Sequence, residues 1–310
     1  MDGNVCKILS LDGGGAKGFY PLGILREVEA LLPQPIHETF DLIFGTSTGS
    51  IIAALLATGR SVYEIHELYK EHVPPIMRAC GKSAKTARLR ETGATVFGDA
   101  GFDTVKTGLG IVSTKWQLET PLIFKSRETQ AHGRRATFVP GFGCKLADAI
   151  EASCSAYPFF EIKTLETASG DIVELFDGGY CANNPALYAL ADATVALGHA
   201  PENCRLLTLG CGQYPEPKRG FIARQINSFL PVQLLQKTLE VNTASMDQLR
   251  RLLYANVPTV RISDTFDKPE MATDMFEYDP KKLNLLRQQG VESFARREKD
   301  VRKLLLSEDL

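Results

Sequence analysis

Apolar runs of six to nine residues recur along the chain and indicate buried strands. They are residues 5–11 (VCKILSL), 40–45 (FDLIFG), 120–126 (TPLIFKS), 136–141 (ATFVPG), 171–179 (DIVELFDGG) and 204–210 (CRLLTLG). Short runs rich in apolar and β-branched residues are typical of strands buried on both faces. Helical patterns lie between several of them, which predicts an α/β fold with a mainly parallel central sheet covered by helices on both faces.

Helical spacing of apolar residues places helices after the first two strands and near the end of the chain. The segment from Tyr20 to Pro33 carries its apolar residues on one side and stops at the proline. Residues 49–59 are apolar nearly all round, as expected for a helix that lies against the centre of a sheet. The apolar residues of 279–306 predict C-terminal helices packed on the core, with a partner-binding helix as the alternative.

The domain organisation follows from where this pattern weakens. Between Leu68 and about Lys115, two adjacent prolines and several glycines interrupt it, which indicates an insertion or lid over the edge of the sheet. We predict a core over residues 6–215 that contains this insertion, and a mainly helical C-terminal extension over residues 216–310 packed on the core.

Composition and charge exclude several classes of partner. The 35 basic and 37 acidic residues give a net charge of −2, so no global basic field favours a nucleic acid polymer. Seven cysteines without a C-x-x-C pair are typical of a reduced, cytoplasmic chain with no zinc site, and we expect no metal and no cofactor. The first residues do not resemble a signal peptide, and no apolar run is long enough to span a membrane.

The five residues GTSTG, from Gly45 to Gly49, are the first candidate for chemistry. They follow the second apolar strand directly and precede the buried helix directly. This is the context in which a G-x-S-x-G sequence forms a nucleophile elbow, a sharp turn that lifts the serine hydroxyl above the sheet. The pattern alone is also compatible with a flexible turn, but its flanks favour Ser47 as a nucleophile.

A serine nucleophile needs a base, and the favoured candidate is Asp177. It ends an apolar strand, at the edge where the active sites of open parallel sheets lie, and its carboxylate can accept a proton without a histidine relay. Asp177 with Gly178 and Gly179 is also compatible with a simple turn. His199 is the only histidine after Asp177, as the usual Ser-Asp-His order requires, but it lies in a sequence typical of a surface turn.

Residues 11–18 (LDGGGAKG) form a glycine-rich junction between a strand and a helix. Gly13, Gly15 and Gly18 fit the G-x-G-x-x-G pattern of dinucleotide-binding proteins, but the acidic residue expected at the end of the second strand is missing. A phosphate-binding P-loop is excluded because Gly18 follows Lys17 directly and the preceding spacing is wrong.

An oxyanion hole explains the same loop and uses the other two motifs. If Ser47 is a nucleophile, its tetrahedral intermediate needs backbone N–H donors about 3 Å from the oxyanion. A glycine loop at the start of a helix supplies such donors, and we predict that Gly13, Gly14 and Gly15 provide them. A nucleotide-binding protein that does no chemistry, and a general small-ester hydrolase, stay open as alternatives.

The ordered series DGGGAKG, GTSTG and DGG resembles the patatin-like phospholipases over roughly residues 6–215. The resemblance implies a three-layer α/β/α fold and metal-free hydrolysis of phospholipid or lysophospholipid esters by a Ser47–Asp177 dyad. It also implies supporting roles for Lys17, Gly18, Gly45, Gly49, Gly178 and Gly179. Lys17 departs from the arginine of many members; it keeps the charge but loses the bidentate geometry.

The short layout with helical C-terminal residues also resembles the bacterial patatin-like effectors of antiphage defence. That resemblance implies activation by a cyclic dinucleotide and degradation of membrane phospholipid at the inner face of the membrane. No nucleotide-binding motif is recognisable in the sequence, so the activator's site is not predicted, and whether the chain forms a homodimer stays open.

Overall fold

A sheet of eight strands lies at the centre of the computed structural model, which describes residues 5–133, 135–217 and 229–306. The strands are β1 (Cys6–Leu11), β2 (Leu42–Thr46), β3 (Gly108–Lys115), β4 (Thr120–Lys125), β5 (Lys163–Glu166), β6 (Ile172–Asp177), β7 (Cys204–Leu209) and β8 (Thr259–Ile262). Their order is β5-β6-β3-β2-β1-β7-β8, and β4 pairs with β3. The pairs β3–β2, β2–β1, β1–β7 and β7–β8 are parallel. The pairs β4–β3, β6–β3 and β5–β6 are antiparallel.

Helices cover both faces of the sheet. They are α1 (Phe19–Leu31), α2 (Ile36–Thr39), α3 (Thr48–Ala57), α4 (Val62–Arg78), α5 (Lys82–Phe97), α6 (Leu146–Ser153), α7 (Gly179–Ala182), α8 (Ala186–Ala191), α9 (Phe229–Leu253) and α10 (Pro280–Leu306). Alternate residues of β1 belong to different apolar clusters: Leu9 packs with α1, α3 and α10, and Ile8 packs with α8. The predicted three-layer α/β/α architecture is confirmed. Within the described ranges, no helix combines the length and apolar character needed to cross a membrane.

Two sequence predictions about strands need correction. Residues 136–141 do not form a strand; short 3₁₀ turns at Arg135–Thr137 and Pro140–Gly143 occupy this region, where most side chains are exposed. Strand β3 was missed, and it lies within the segment predicted as a lid or insertion. Because β3 lies inside the sheet, it cannot be part of a lid. Within the segment predicted as a lid, this leaves the helical residues of α4 and α5.

The C-terminal residues are built into the core. Helix α10 packs directly on α1, and at two glycines the backbones come so close that a side chain would not fit. A Cβ atom on Gly23 would lie 2.0 Å from the Arg287 carbonyl oxygen, and one on Gly290 would lie 2.1 Å from the Tyr20 carbonyl oxygen. Strand β8 also extends the sheet, so the predicted C-terminal extension contributes a strand as well as helices. Residues 218–228, near the start of this extension, lie outside the described residues.

Candidate active site

Strand β3 brings Ser47 and Asp177 together. The last residue of β2, Thr46, lies opposite Val112 of β3, and the last residue of β6, Asp177, lies opposite Ser113. Strand β4 pairs along one edge of β3. Strands β2 and β6 therefore share the opposite edge of β3, where their carboxyl ends meet. Ser47 follows Thr46 directly and therefore lies beside Asp177. The two residues meet although β6 is antiparallel to β3, not part of the parallel set that the sequence suggested.

Ser47 has the backbone of a nucleophile elbow. Its dihedral angles are φ 52° and ψ −125°, a conformation that residues with a side chain rarely adopt. The Ser47 N–H donates to Ser153 Oγ over 2.9 Å, and that hydroxyl donates to the Val112 carbonyl oxygen over 2.5 Å. Gly45 and Gly49 touch across the turn, since a Cβ atom on Gly45 would lie 2.2 Å from the Gly49 carbonyl oxygen. These contacts hold the turn in its strained conformation.

Asp177 is buried beside this serine, with 1% of its surface exposed. Burial raises the pKa of its carboxyl to about 7, while the Gly179 N–H and the Ser47 hydroxyl act in the opposite direction. The Gly179 N–H donates to Oδ1 over 2.7 Å. Oδ2 has no hydrogen bond of regular geometry to a described residue. A carboxylate with a pKa near 7 and a free oxygen is suited to accept a proton at neutral pH.

The glycine loop between β1 and α1 passes close to Ser47. A Cβ atom on Gly13 would lie 3.2 Å from Ser47 Cβ and 2.3 Å from Asn183 Oδ1, so the loop can approach this closely only with glycine. The Gly13 N–H donates to the Asn183 carbonyl oxygen over 2.9 Å. In this conformation it is therefore not a free donor. The N–H groups of Gly14 and Gly15 donate no hydrogen bond to another described residue, which leaves these two available to an oxyanion.

Charged side chains anchor both ends of the glycine loop. Before it, Asp12 accepts from Arg261 on β8, with 2.6 Å between Nη2 and Oδ2. After it, the buried Lys17 lies 3.8 Å from Glu240 Oε1 on α9. Gly18 allows close packing on α3, since a Cβ atom there would lie 2.5 Å from Thr48 Oγ1.

Helix α9 covers the loop that carries Asp177. Asn242 on α9 accepts from the Asn183 N–H over 2.8 Å and donates to the Cys181 carbonyl oxygen over 3.1 Å. Leu239 packs at Gly179, where a Cβ atom would lie 2.7 Å from Leu239 Cδ2. Beneath this cover Ser47 is only 8% exposed. A cavity of about 200 Å³ remains between α9 and the glycine loop. Helix α9 therefore restricts the access of an ester group to Ser47.

The structure separates His199 from the other candidates. His199 lies in the loop that enters β7, and β7 runs parallel to β1 and β2. This loop is therefore at the amino end of the parallel strands, opposite to Ser47. In the described ranges, no three His, Cys, Asp or Glu side chains are grouped so that they could hold a metal ion.

Sequence reasoning missed several residues that shape the site. Ser153 holds Ser47 from 106 positions away, Asn242 holds Asn183 from 59 positions away, and Arg261 holds Asp12 from 249 positions away. No local pattern marks such long-range partners. The contact of Asn183 with the glycine loop was also missed: its Nδ2 donates to the Gly13 carbonyl oxygen over 3.2 Å and so fixes the loop.

Comparison with known proteins places these features in a family. Residues 9–190 match the patatin family, described as patatin-like phospholipase, and include the glycine loop, Ser47 and Asp177. A cUMP-AMP-activated phospholipase of Escherichia coli is 58% identical over 98% of this chain and 95% of its own length. A cGAMP-activated phospholipase of Escherichia coli (strain TW11681) is 30% identical, and patatin-like protein 2 of Arabidopsis thaliana is 31% identical. The matches to these two cover 60% and 62% of this chain and about half of each relative, 55% and 53%. This chain belongs to the patatin-like phospholipase family.

Proposed function

We propose that the protein hydrolyses fatty-acyl esters of membrane phospholipids or lysophospholipids with Ser47 and Asp177, and that a cyclic dinucleotide switches this activity on. The observation that carries the proposal is the buried Asp177 carboxyl, with a pKa of about 7 and a free oxygen, beside a serine on a strained elbow. The similarity to cUMP-AMP-activated and cGAMP-activated phospholipases supports both the substrate class and the activator.

The chain's own residues account for both halves of the reaction. Ser47 Oγ attacks the ester carbonyl carbon while Asp177 takes the hydroxyl proton, and the oxyanion faces the N–H groups of Gly14 and Gly15. The C–O bond to the glycerol then breaks, and the leaving alkoxide takes the proton from Asp177. Water attacks the acyl-enzyme and gives a proton to Asp177, which returns it to Ser47 as the fatty acid leaves.

The closed site is the reason for expecting a switch. Ser47 and Asp177 are nearly inaccessible, and the hydrogen bonds from α9 to residues 181–183 hold the cover in place. An activator that binds the open form more tightly than the closed form shifts the population toward the active enzyme. We propose that the opened enzyme then degrades membrane phospholipid from the inner face of the membrane, in antiphage defence.

The experiment is fatty-acid release from vesicles of bacterial phospholipids by the full-length protein, with no nucleotide, with cyclic UMP-AMP and with cyclic GMP-AMP. We expect release to rise at least about tenfold with one of the cyclic dinucleotides, since a shift of about 1.4 kcal/mol in the closed-to-open equilibrium suffices for that. The linear dinucleotide UpA is the matched control and should leave the rate unchanged.

Each contrary outcome would support a different function. Full activity without any nucleotide would remove the switch and leave the hydrolase. Hydrolysis of soluble short-chain esters but not of vesicles would favour a general small-ester hydrolase. No hydrolysis by folded protein under any condition would favour a nucleotide-binding protein that does no chemistry.

The pH profile of the activated enzyme tests Asp177 as the base. Asp177 must be ionised to accept the Ser47 proton, and its pKa is raised to about 7. We therefore expect kcat/KM to rise about tenfold per pH unit between pH 5 and 6.5 and to level off above pH 8. Circular dichroism over the same range controls for unfolding. A flat profile between pH 5 and 8 would contradict the assignment of Asp177 as the base.

A further inference from the structure

A second cavity lies at the open edge of the sheet, away from Ser47. It has a volume of about 620 Å³ and lies between the end of α9, strand β8 and the last turns of α10. Its walls carry five cationic side chains, from Arg250, Arg251, Arg261, Arg297 and Lys303. We propose that this cavity, the basic groove, binds the cyclic dinucleotide; the inference rests on the nucleotide-activated function proposed above.

The charge of the basic groove complements a cyclic dinucleotide. Asp247 pairs with Arg250 and Arg251, over 2.9 Å and 2.8 Å. Asp12 pairs with Arg261 and Asp300 with Arg297, over 2.6 Å and 3.5 Å. Lys303 forms no ion pair with another described residue. The five cations and their three carboxylate partners leave a net charge of +2, which matches the two phosphodiester charges of the ligand.

The walls of the basic groove also offer partners for the two bases. The half-buried Tyr254, at the end of α9, supplies an aromatic ring, and aromatic rings stack with any base. Among the described strands, β8 pairs only with β7, and the carbonyl oxygens of Ile262 and of Pro258, just before β8, accept from the β7 side. Backbone groups alternate in direction along a strand, so those of Thr259 and Arg261 point to the open edge. They are available to the hydrogen-bonding edge of a base.

The smaller cavity next to the glycine loop fits this ligand less well. Its volume of about 200 Å³ lies below the ~300–1,000 Å³ that is typical of pockets for small ligands. Its ionisable lining residues are Asp12, Glu240, Asp247, Lys17 and Arg261, so carboxylates outnumber cations. The basic groove has both the volume and the positive charge that a dianionic ligand needs.

Two direct connections link the basic groove to the candidate active site. Arg261 lines the groove and also donates to Asp12, the residue before Gly13. Helix α9 ends in the groove with Arg250 and Arg251, and its middle turns cover Asp177 through Asn242. A ligand that binds both Arg261 and the end of α9 therefore acts on the glycine loop and on the covering helix together. This gives the ligand a physical route to open the site.

Binding of cyclic UMP-AMP to the full-length protein, measured by isothermal titration calorimetry, tests the assignment. The variant Arg251→Ala/Lys303→Ala removes two exposed cations of the groove. We expect it to weaken binding by a factor of about 10 to 1,000, because charge-assisted hydrogen bonds to the phosphates are lost and these are stronger than bonds between neutral groups. The nucleotide concentration for half-maximal fatty-acid release should rise by the same factor. Arg302→Ala, one residue from Lys303 but outside the groove, should change neither value.

The outcomes separate a failure of this site from a failure of the proposed function. If cyclic dinucleotide activates the wild type and the double variant equally, the activator binds elsewhere and the assignment is wrong. If the double variant keeps its nucleotide affinity but no longer sediments with phosphatidylglycerol vesicles, the groove is a membrane contact and the assignment is also wrong. If the wild type neither binds nor responds to cyclic dinucleotides, the switch itself fails, and the groove assignment fails with it.

Discussion

Replacing Ser47 with alanine is expected to abolish nucleotide-activated fatty-acid release, with a loss of roughly 10⁴- to 10⁶-fold. The substitution removes the only atom that can form the acyl-enzyme in the proposed reaction. Stability should change little, because the Ser47 hydroxyl is not part of the hydrogen bonds that hold the elbow, which use its backbone N–H and carbonyl. The measurement is fatty-acid release at saturating cyclic dinucleotide, together with urea unfolding of both proteins.

The matched control is Ser10→Ala. Ser10 is also a buried serine, on β1, and its hydroxyl has no hydrogen-bond partner among the described residues. This variant should keep the activity and stability of the wild type. If Ser47→Ala retained more than a few per cent of the release while Ser10→Ala behaved as the wild type, the nucleophile would be a different residue.

Replacing Asp177 with asparagine should remove activity and raise stability at the same time. The rate should fall at least about 10³-fold, because an amide cannot accept the Ser47 proton. The free energy of unfolding should rise by up to about 4 kcal/mol at pH 8, because burial raises the pKa of Asp177 from 3.8 to about 7. Folding therefore favours the protonated carboxyl. The stability that this proton contributes is lost as the pH rises through 7, and asparagine avoids the loss.

Urea unfolding at pH 8 and pH 4 measures this second effect. At pH 4 the buried carboxyl is protonated and resembles the amide, so the stability difference should nearly disappear. Asp267→Asn, at an exposed position with no hydrogen bond to another described residue, is the control and should change neither rate nor stability. Equal stability of Asp177→Asn and the wild type at pH 8 would show that the Asp177 carboxylate is not destabilised by burial.

The fold was predictable where the local pattern and the final packing agree. Strands β1, β2, β4, β6 and β7 were predicted because short runs rich in apolar residues mark them. Strand β3 was missed because it starts with two glycines around Leu109 and ends in Ser113, Thr114 and Lys115. Gly110 lets Phe44 pack closely, and the hydroxyls of Ser113 and Thr114 donate to the backbone of β6. Only neighbours distant in sequence give these residues their role.

The candidate site also has parts that were predictable from the sequence and parts that were not. Ser47, Asp177 and the glycine loop were recognisable because each lies in a short motif with definite flanks. The cover by α9 and the link from Arg261 to Asp12 were not, since they join residues far apart that carry no motif. Residue-level patterns report the chemistry of a site, whereas control of access depends on packing that only the structure shows.

The contact between α1 and α10 has a consequence for synthesis of the protein in the cell. These helices begin at Phe19 and Pro280, so α1 leaves the ribosome long before α10 does. Strand β8 likewise completes the sheet late. Contacts between such distant segments form slowly and only after both have been made. We expect the chain to gain its active form only after α10 has left the ribosome, so a nascent chain that lacks α10 should not damage the membrane.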